Sequence, residues 1–493
     1  MGVIKKQGIL NTIIAYLGVL IAMFSILWLQ PKLLTPAEIG LLGVLVDAGS
    51  LFMPFVLMGV TAIFLRFYPT YKQHPHPQAA PTFVSLMFLL PLVGLVSVFG
   101  FLCLFRDKMV AQFAEKSPDF VHYFGGVIYM CAFLVYYSVL EAFGRVKQRT
   151  VATVFIKDVG VRLGTIVLVL LYAYHYLNKD GLVFAYIALF GLSVLILALY
   201  FRQQDMLHFG KAFAIFNRTN TQQIARFGVF IFLGTMSSMI VGKIDSMMVA
   251  KYLGLEENGV YRIAFFIGVV IEMPRRALSQ IAGPMVAEKI SLGDWQWIEN
   301  LYQRIATNQT LVGAGILLLI WCNIDSLFQL MPNGSVYSSG KYVVLFIGLS
   351  KLFDMMTSIN EDIIAYSPYY HYALGVMLGL IGLTFLTNYY LIPLYGITGS
   401  ALATALSVWV YNVAKYAIIW WKFKIQPFTP AILKVGVLAM LVLLVDAYFP
   451  TLSSPFADLC VRSMLISVLL LVGTWIGNIS PDILALIPLK RRS

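Results

Sequence analysis

Apolar stretches of about twenty residues recur along the whole chain, from 9–29 near its start to 457–477 near its end, and each is the length that crosses a bilayer as a helix. In hydrocarbon no water satisfies the backbone, so every N–H and C=O must be paired inside a helix or a closed barrel. The stretches lack the alternation over about ten residues that marks a membrane barrel. The predicted fold is therefore an all-α polytopic membrane protein.

Composition agrees. The 493 residues are 60% hydrophobic and 12% charged, too little charge for a soluble domain of this length. A net charge of +12 could suggest nucleic acid, but the cations fall in short connections between spans, where retention on the cytoplasmic side explains them. Nucleic acid is not expected as a partner; membrane lipids are. Cys103, Cys131, Cys322 and Cys460 lie in or at the ends of apolar runs without a CxxC pair, so neither a disulfide framework nor a metal site is expected. Lys5 and Lys6 precede an apolar stretch too long for a cleaved signal segment, which reads as the first span.

Spans are expected at 9–29, 39–65, 82–105, 122–143, 151–176, 182–201, 225–252, 259–284, 300–322, 341–366, 370–391, 396–421, 430–449 and 457–477, fourteen in all. With the N-terminus inside, the cytoplasmic connections collect Lys5/Lys6, Arg66/Lys72, Arg145/Lys147/Arg149, Arg202/Lys211/Arg218, Lys422/Lys424 and Lys490/Arg491/Arg492. The opposite side holds few cations, so both termini are expected in the cytoplasm.

A repeat orders these spans. A shift of 219 places PKLLTPAEIGLL over AKYLGLEENGVY, aligning Lys32 with Lys251, Leu34 with Leu253, Glu38 with Glu257 and Gly40 with Gly259; a shift of 215 aligns Gly181 with Gly396. Two six-helix copies follow: an N-lobe at 1–202, a basic cytoplasmic linker at 203–223, a C-lobe at 224–424, and an appended helix pair with a basic tail at 425–493. Because six is even, the copies are expected to be related by a two-fold along the membrane normal, with a site near the midplane.

Charges inside spans are expensive and usually face a bundle interior or wet cavity. Arg162 and Lys351 are the deepest cations, Arg275 and Arg276 lie in span eight, and Arg66 ends span two within FLRFYP. The planar fork of arginine suits a pyrophosphate, so these five are the candidate substrate-binding residues. Lys351, Asp354, Ser358 and Glu361 follow a three, four, three rhythm and are expected to share one face of span ten. Around Arg275 and Arg276 a single nearby acid, Glu272, leaves one positive charge over. Asp245, Glu272 and Asp354 are the candidates for an H⁺ or Na⁺ coupling ion. Internal ion pairing, Asp158 with Arg162 or Lys351 with Asp354, is the competing reading. Asp47 and Glu141 lie nearer helix ends, and Lys415 is expected to snorkel.

LRFYP after span two, KIDSMMVAKYLGLEENGVYRIA across spans seven and eight, and GITGSALATALS at span twelve resemble the polysaccharide-exporter branch of the multidrug/oligosaccharidyl-lipid/polysaccharide superfamily, with bacterial O-antigen and capsule-type oligosaccharide flippases the nearest likeness. Arg66 and Asp245 match positions that recur in that family's pattern. The resemblance implies a monomer, without a cofactor beyond a coupling ion. It would move an undecaprenyl-pyrophosphate-linked oligosaccharide across the bacterial inner membrane by alternating access, either alone or beside a polysaccharide polymerase and a chain-length regulator.

The rivals are a lipid II flippase, a multidrug exporter and a membrane glycosyltransferase or polymerase. Deep cations disfavour an exporter of cationic drugs. An enzyme would need a catalytic constellation, and the longest outer connection, 106–121, carries no D-x-D motif. No Walker A pattern is present.

Overall fold

The structure, a computed structural model, describes residues 2–212 and 218–485. Several side chains within that range, Arg276 among them, lie outside the described residues. The described chain is helical throughout and divides into two compact units, residues 1–259 and 260–493.

The first unit contains α1 (Gly2–Phe24), α2 (Pro36–Leu57), α3 (Val60–Lys72), α4 (Ala79–Ala111), α5 (Gly126–Val146), α6 (Thr150–Phe155), α7 (Val161–Ala173), α8 (Lys179–Gln203) and α9 (Arg218–Tyr252). The start of α2 is written in TPAE. Thr35 accepts from the Glu38 amide while Glu38 accepts from the Thr35 amide, and Pro36 occupies the first helical position, where its missing N–H costs nothing. Met58 (φ 44°) and Gly59 (φ 80°) end α2 and turn the chain into α3. The core is aromatic: Tyr71 stacks on Phe83 at 4.5 Å, and Phe64, Phe143 and Phe201 close around them. Residues of the expected linker dock here too. Ser85 on α4 both donates to the Gly210 carbonyl (2.9 Å) and accepts from its amide (3.0 Å).

The second unit takes most of α10 (Leu255–Val269), then α11 (Met273–Ser291), α12 (Trp295–Cys322), α13 (Lys341–Thr357), α14 (Asn360–Tyr366), α15 (Tyr370–Phe423), α16 (Pro430–Tyr448) and α17 (Pro455–Gly477). Leu311, Ala314 and Leu318 of α12 pack with Val435, Leu438 and Val442 of α16 and Ile466 of α17, seating the appended pair on this unit. Arg462 of α17 is buried against Asp458 (3.1 Å) and Asp446 (2.5 Å), and Ser326 donates to Asp458 (2.8 Å). Sequence reading singled out none of these four.

Among the described residues ten helices are long and apolar enough to cross a membrane, or eleven if the pair Gly334–Thr357 and Asn360–Tyr366, bent by 51°, is one span. Three places separate that count from fourteen. The long α15 breaks at Gly396 (φ 59°, ψ −140°), so it holds two spans. The α6–α7 segment is interrupted by a π turn, Ile156–Gly160, and carries Lys157, Asp158 and Arg162. The α10–α11 segment is interrupted by a 3₁₀ turn at Val270–Glu272, ahead of Pro274.

One expectation is corrected. The shared face of Lys351, Asp354, Ser358 and Glu361 assumed a continuous helix, whereas the chain breaks at Ser358 (φ 26°, ψ −86°) between α13 and α14. Polar groups from α15 offset the loss of regular backbone bonding: Asn412 accepts from Thr357 (3.0 Å) and Asn360 (3.3 Å) on either side of the break.

Candidate functional site

The 3₁₀ turn before Pro274 sets Glu272 where α11 begins, largely buried, and two cations from different helices converge on it. Lys351 Nζ of α13 lies 2.8 Å from Oε2, and Arg275 Nη1 lies 3.3 Å from Oε1. Arg275 also reaches Asp354 Oδ2 at 3.6 Å and Glu361 Oε2 at 3.8 Å, so one guanidinium on α11 bridges three carboxylates, from the 3₁₀ turn, α13 and α14. Asn412 of α15 donates to Asp354 Oδ1 at 2.6 Å, fixing the carboxylate from its other side.

Lys415 belongs to the same group. Its side chain is only 2% exposed, its ammonium sits 4.0 Å from the centre of the Tyr411 ring, and it is within electrostatic reach of Asp354, Glu361 and Asp362. The expected snorkelling does not occur, because the chain folds Lys415 back over Tyr411 towards the acids of α13 and α14. Asn412 is the residue that sequence reading missed, and Lys415 the one it assigned to the helix end. The two lie three apart, and so on one face of the helix.

Among the described residues Glu272, Asp354, Glu361 and Asp362 meet Arg275, Lys351 and Lys415, four acids against three cations. Counting acids on the same helix missed Asp354 and Glu361, which arrive from other elements. The Arg276 side chain lies outside the described residues. A buried network of this kind holds its charges only while its partners remain, since stranding one ion costs about 3–5 kcal/mol.

The first unit uses charge differently. Asp47 of α2, only 2% exposed, pairs with Lys243 of α9 at 2.7 Å, so Asp47 is an interior residue rather than one near a helix end. Asp245 of α9 is also buried, near the turn where Asn258 donates to the Ser246 carbonyl (2.6 Å). Arg162 faces Asp158 at 3.9 Å, a loose pair that leaves its Nη1 buried without a hydrogen-bond partner. Glu141 pairs with Arg145 (2.6 Å) and Lys157 (3.1 Å). Arg66 of α3 is exposed and has no carboxylate within 4.0 Å among the described residues. Its guanidinium lies 4.4 Å from the Phe227 ring centre and 5.5 Å from that of Phe67. Of the eight expected site residues, the structure thus joins Glu272, Arg275, Lys351 and Asp354 in one network. It leaves Arg66, Arg162 and Asp245 as separate places in the first unit.

These ion pairs are buried among helices long and apolar enough to cross a membrane. Solved structures share the fold. The chain is similar to the lipid II flippase MurJ in an inward closed conformation (TM-score 0.74, 12% identity, 95% of this chain and 98% of that one). It is also similar to an inward-facing multidrug resistance MATE family transporter of the MOP superfamily (0.58, 15%, 84% and 98%) and to a point mutant of the Vibrio cholerae MATE transporter VcmN (0.56, 14%, 86% and 99%). At these identities the likeness is one of fold. The polysaccharide biosynthesis protein family matches residues 5–286, and the chain belongs to that family. No curated protein sequence matches it significantly.

Proposed function

We propose that this protein is a flippase that carries an undecaprenyl-pyrophosphate-linked oligosaccharide from the cytoplasmic to the outer leaflet of a bacterial inner membrane by alternating access, driven by an H⁺ or Na⁺ gradient. The observation that carries this reading is the uneven use of charge. In the network around Glu272 the described acids outnumber the cations, whereas in the first unit Arg66 lies beside the Phe227 and Phe67 rings and Arg162 has one loosely placed carboxylate. Guanidinium groups not committed to carboxylates suit the two phosphates of the carrier lipid. Arg66 and Arg162 are then the phosphate-binding residues. Glu272, Asp354 and, separately, Asp245 are the coupling carboxylates, and Arg275 and Lys351 are counter-ions whose pairing changes when an ion enters. Both termini face the cytoplasm in this scheme.

Family membership favours a saccharide cargo over a drug. The fold shared with the MurJ structure keeps lipid II as the second reading. Mass spectrometry of lipid-linked oligosaccharides separates them, in a strain lacking the gene and in strains restored with wild type or Arg66→Ala. Complete repeat units on undecaprenyl carrier, with surface polymer lost and unrestored by Arg66→Ala, support the proposal. Accumulated lipid II supports the rival, truncated glycolipids a sugar-transfer enzyme, and unchanged glycolipids with new drug sensitivity an exporter.

A further inference from the structure

At one end of the first unit, α5 and α8 enclose a cavity of about 420 Å³ that none of the residues discussed above approaches. Its walls are Tyr129 and Phe133 of α5 and Phe184, Ile187 and Ala188 of α8, and its mouth is formed by His122, Tyr123 and the paired Gly125–Gly126. The helices pinch together above and below it. A Cβ on Gly126 would meet Ile187 at 2.7 Å, and one on Gly191 would meet the Phe133 ring at 2.8 Å. At 1.5 Å per residue the apolar walls from Gly126 to Phe133 run about 10 Å into the span, and the exposed Phe184 and Ala188 open the cavity sideways towards lipid. The volume falls within the range of small-molecule sites.

The mouth has a definite charge. Lys179 is held by Asp119 at 2.6 Å, which leaves Asp180 as the carboxylate beside the opening. The Tyr123 hydroxyl donates to Asp180, and His122 Nε2 stands 4.0 Å from it. An apolar slot that opens into the bilayer, with an acceptor-rich acid at the interface, matches a lipid that ends in a primary ammonium. A head group with phosphate as its only charge would meet Asp180 with like sign, and a quaternary ammonium has no N–H to donate. A soluble sugar would need more polar groups within the walls than this cavity offers. We propose that the cavity between α5 and α8 binds an aminophospholipid, its acyl chain against Tyr129, Phe133 and Phe184 and its ammonium on Asp180. On the topology proposed above this is an outer-leaflet site, and it does not depend on what cargo the protein carries.

Native mass spectrometry of the whole protein tests this, with phosphatidylethanolamine, phosphatidylcholine and phosphatidylglycerol added at equal concentration. Wild type should retain phosphatidylethanolamine over the other two by about threefold, the scale of one partly exposed ion pair. Asp180→Asn keeps an acceptor for Tyr123 and should bring the ratio near one. Gly125→Leu should remove the retained lipid without disturbing the fold, since a Cβ at Gly125 meets nothing within 4 Å. Ala188→Trp fills the slot from the opposite wall and should act alike. Equal retention of the three lipids, retention unchanged in both filling variants, or displacement of phosphatidylethanolamine by a polyprenyl phosphate or by a neutral disaccharide would each overturn the proposal.

Discussion

Gly40 and Gly259 make one reciprocal contact at the start of two helices. A Cβ on Gly40 would fall 2.0 Å from the Leu255 carbonyl oxygen, and a Cβ on Gly259 would fall 2.0 Å from the Pro36 carbonyl oxygen. The same 219-residue shift that pairs Gly40 with Gly259 pairs Pro36 with Leu255. A crossing that maps onto itself under the repeat is self-complementary, as at a two-fold axis, and all four residues lie in the first unit. Neither partner is the movable end of a side chain; both are backbone.

Adding one methyl group on either side should therefore force the start of α2 from the start of α10. Gly40→Ala and Gly259→Ala are each expected to cost about 1–3 kcal/mol, the usual range for overpacking, and to cost similar amounts because the contact is symmetric. Gly100→Ala, whose Cβ would meet nothing within 4 Å, is the control. Thermal unfolding in detergent reads the difference. A large effect from one glycine and none from the other would contradict a shared crossing.

The Asp47–Lys243 pair joins α2 to α9 inside the same unit. Asp47→Asn should remove the counter-charge that Lys243 meets at 2.7 Å, and Lys243→Met should remove that ammonium from a carboxylate that is almost wholly buried. Each is expected to destabilise the protein by about 3–5 kcal/mol. Exchanging the two, Asp47→Lys with Lys243→Asp, should recover part of the loss. A double-mutant cycle with no coupling would show that the pair is an accident of proximity.

Much of this architecture was legible in the chain. Apolar run length reports on the membrane directly, whereas the breaks at Gly59 and ahead of Pro274 fall inside the expected spans 39–65 and 259–284. The repeat aligns Gly40 with Gly259. Other features were hidden for one reason: they depend on which helix faces which. Sequence spacing pairs Glu272 with Arg275, but only packing brings Asp354 and Glu361 to the same guanidinium. It marks Lys415 as an end-of-helix cation, but only packing turns that residue over Tyr411. The break at Ser358 has neither proline nor glycine beside it and is stabilised by Asn412, more than fifty residues away.

A pH effect is expected where Asp482 docks the short C-terminal helix Pro481–Leu484. Arg304 donates to Asp482 at 2.6 Å and Asn308 at 2.9 Å, and these hydrogen bonds hold the Asp482 carboxyl below its usual range. A depressed folded-state pKa adds stability that is present above the unfolded value of about 3.9 and is lost as pH falls through the folded one. Hydrogen exchange at Ile483 should therefore stay slow from neutrality to about pH 4 and quicken in more acid solution. Asp482→Asn should exchange faster at neutral pH and lose that acid step. An unchanged acid step in the variant would assign it to another group.

The strongest test of the two roles given to membrane cations compares Arg275 with Arg66. Arg275 stands among three carboxylates, so Arg275→Gln leaves them to repel one another, and flipping should fall on the order of tenfold or more by the cost of an uncompensated buried charge. If Arg275 is a counter-ion, removing an acid as well restores the balance, and Arg275→Gln with Asp354→Asn should carry more polysaccharide to the surface than Arg275→Gln alone. Among the described residues Arg66 has no such acid within 4.0 Å, so Arg66→Gln should stay defective with Asp354→Asn added. Rescue of Arg66→Gln by that change would move Arg66 into the charge-balancing network. Failure to rescue Arg275→Gln would return Arg275 to the phosphate-binding set that the sequence predicts for it.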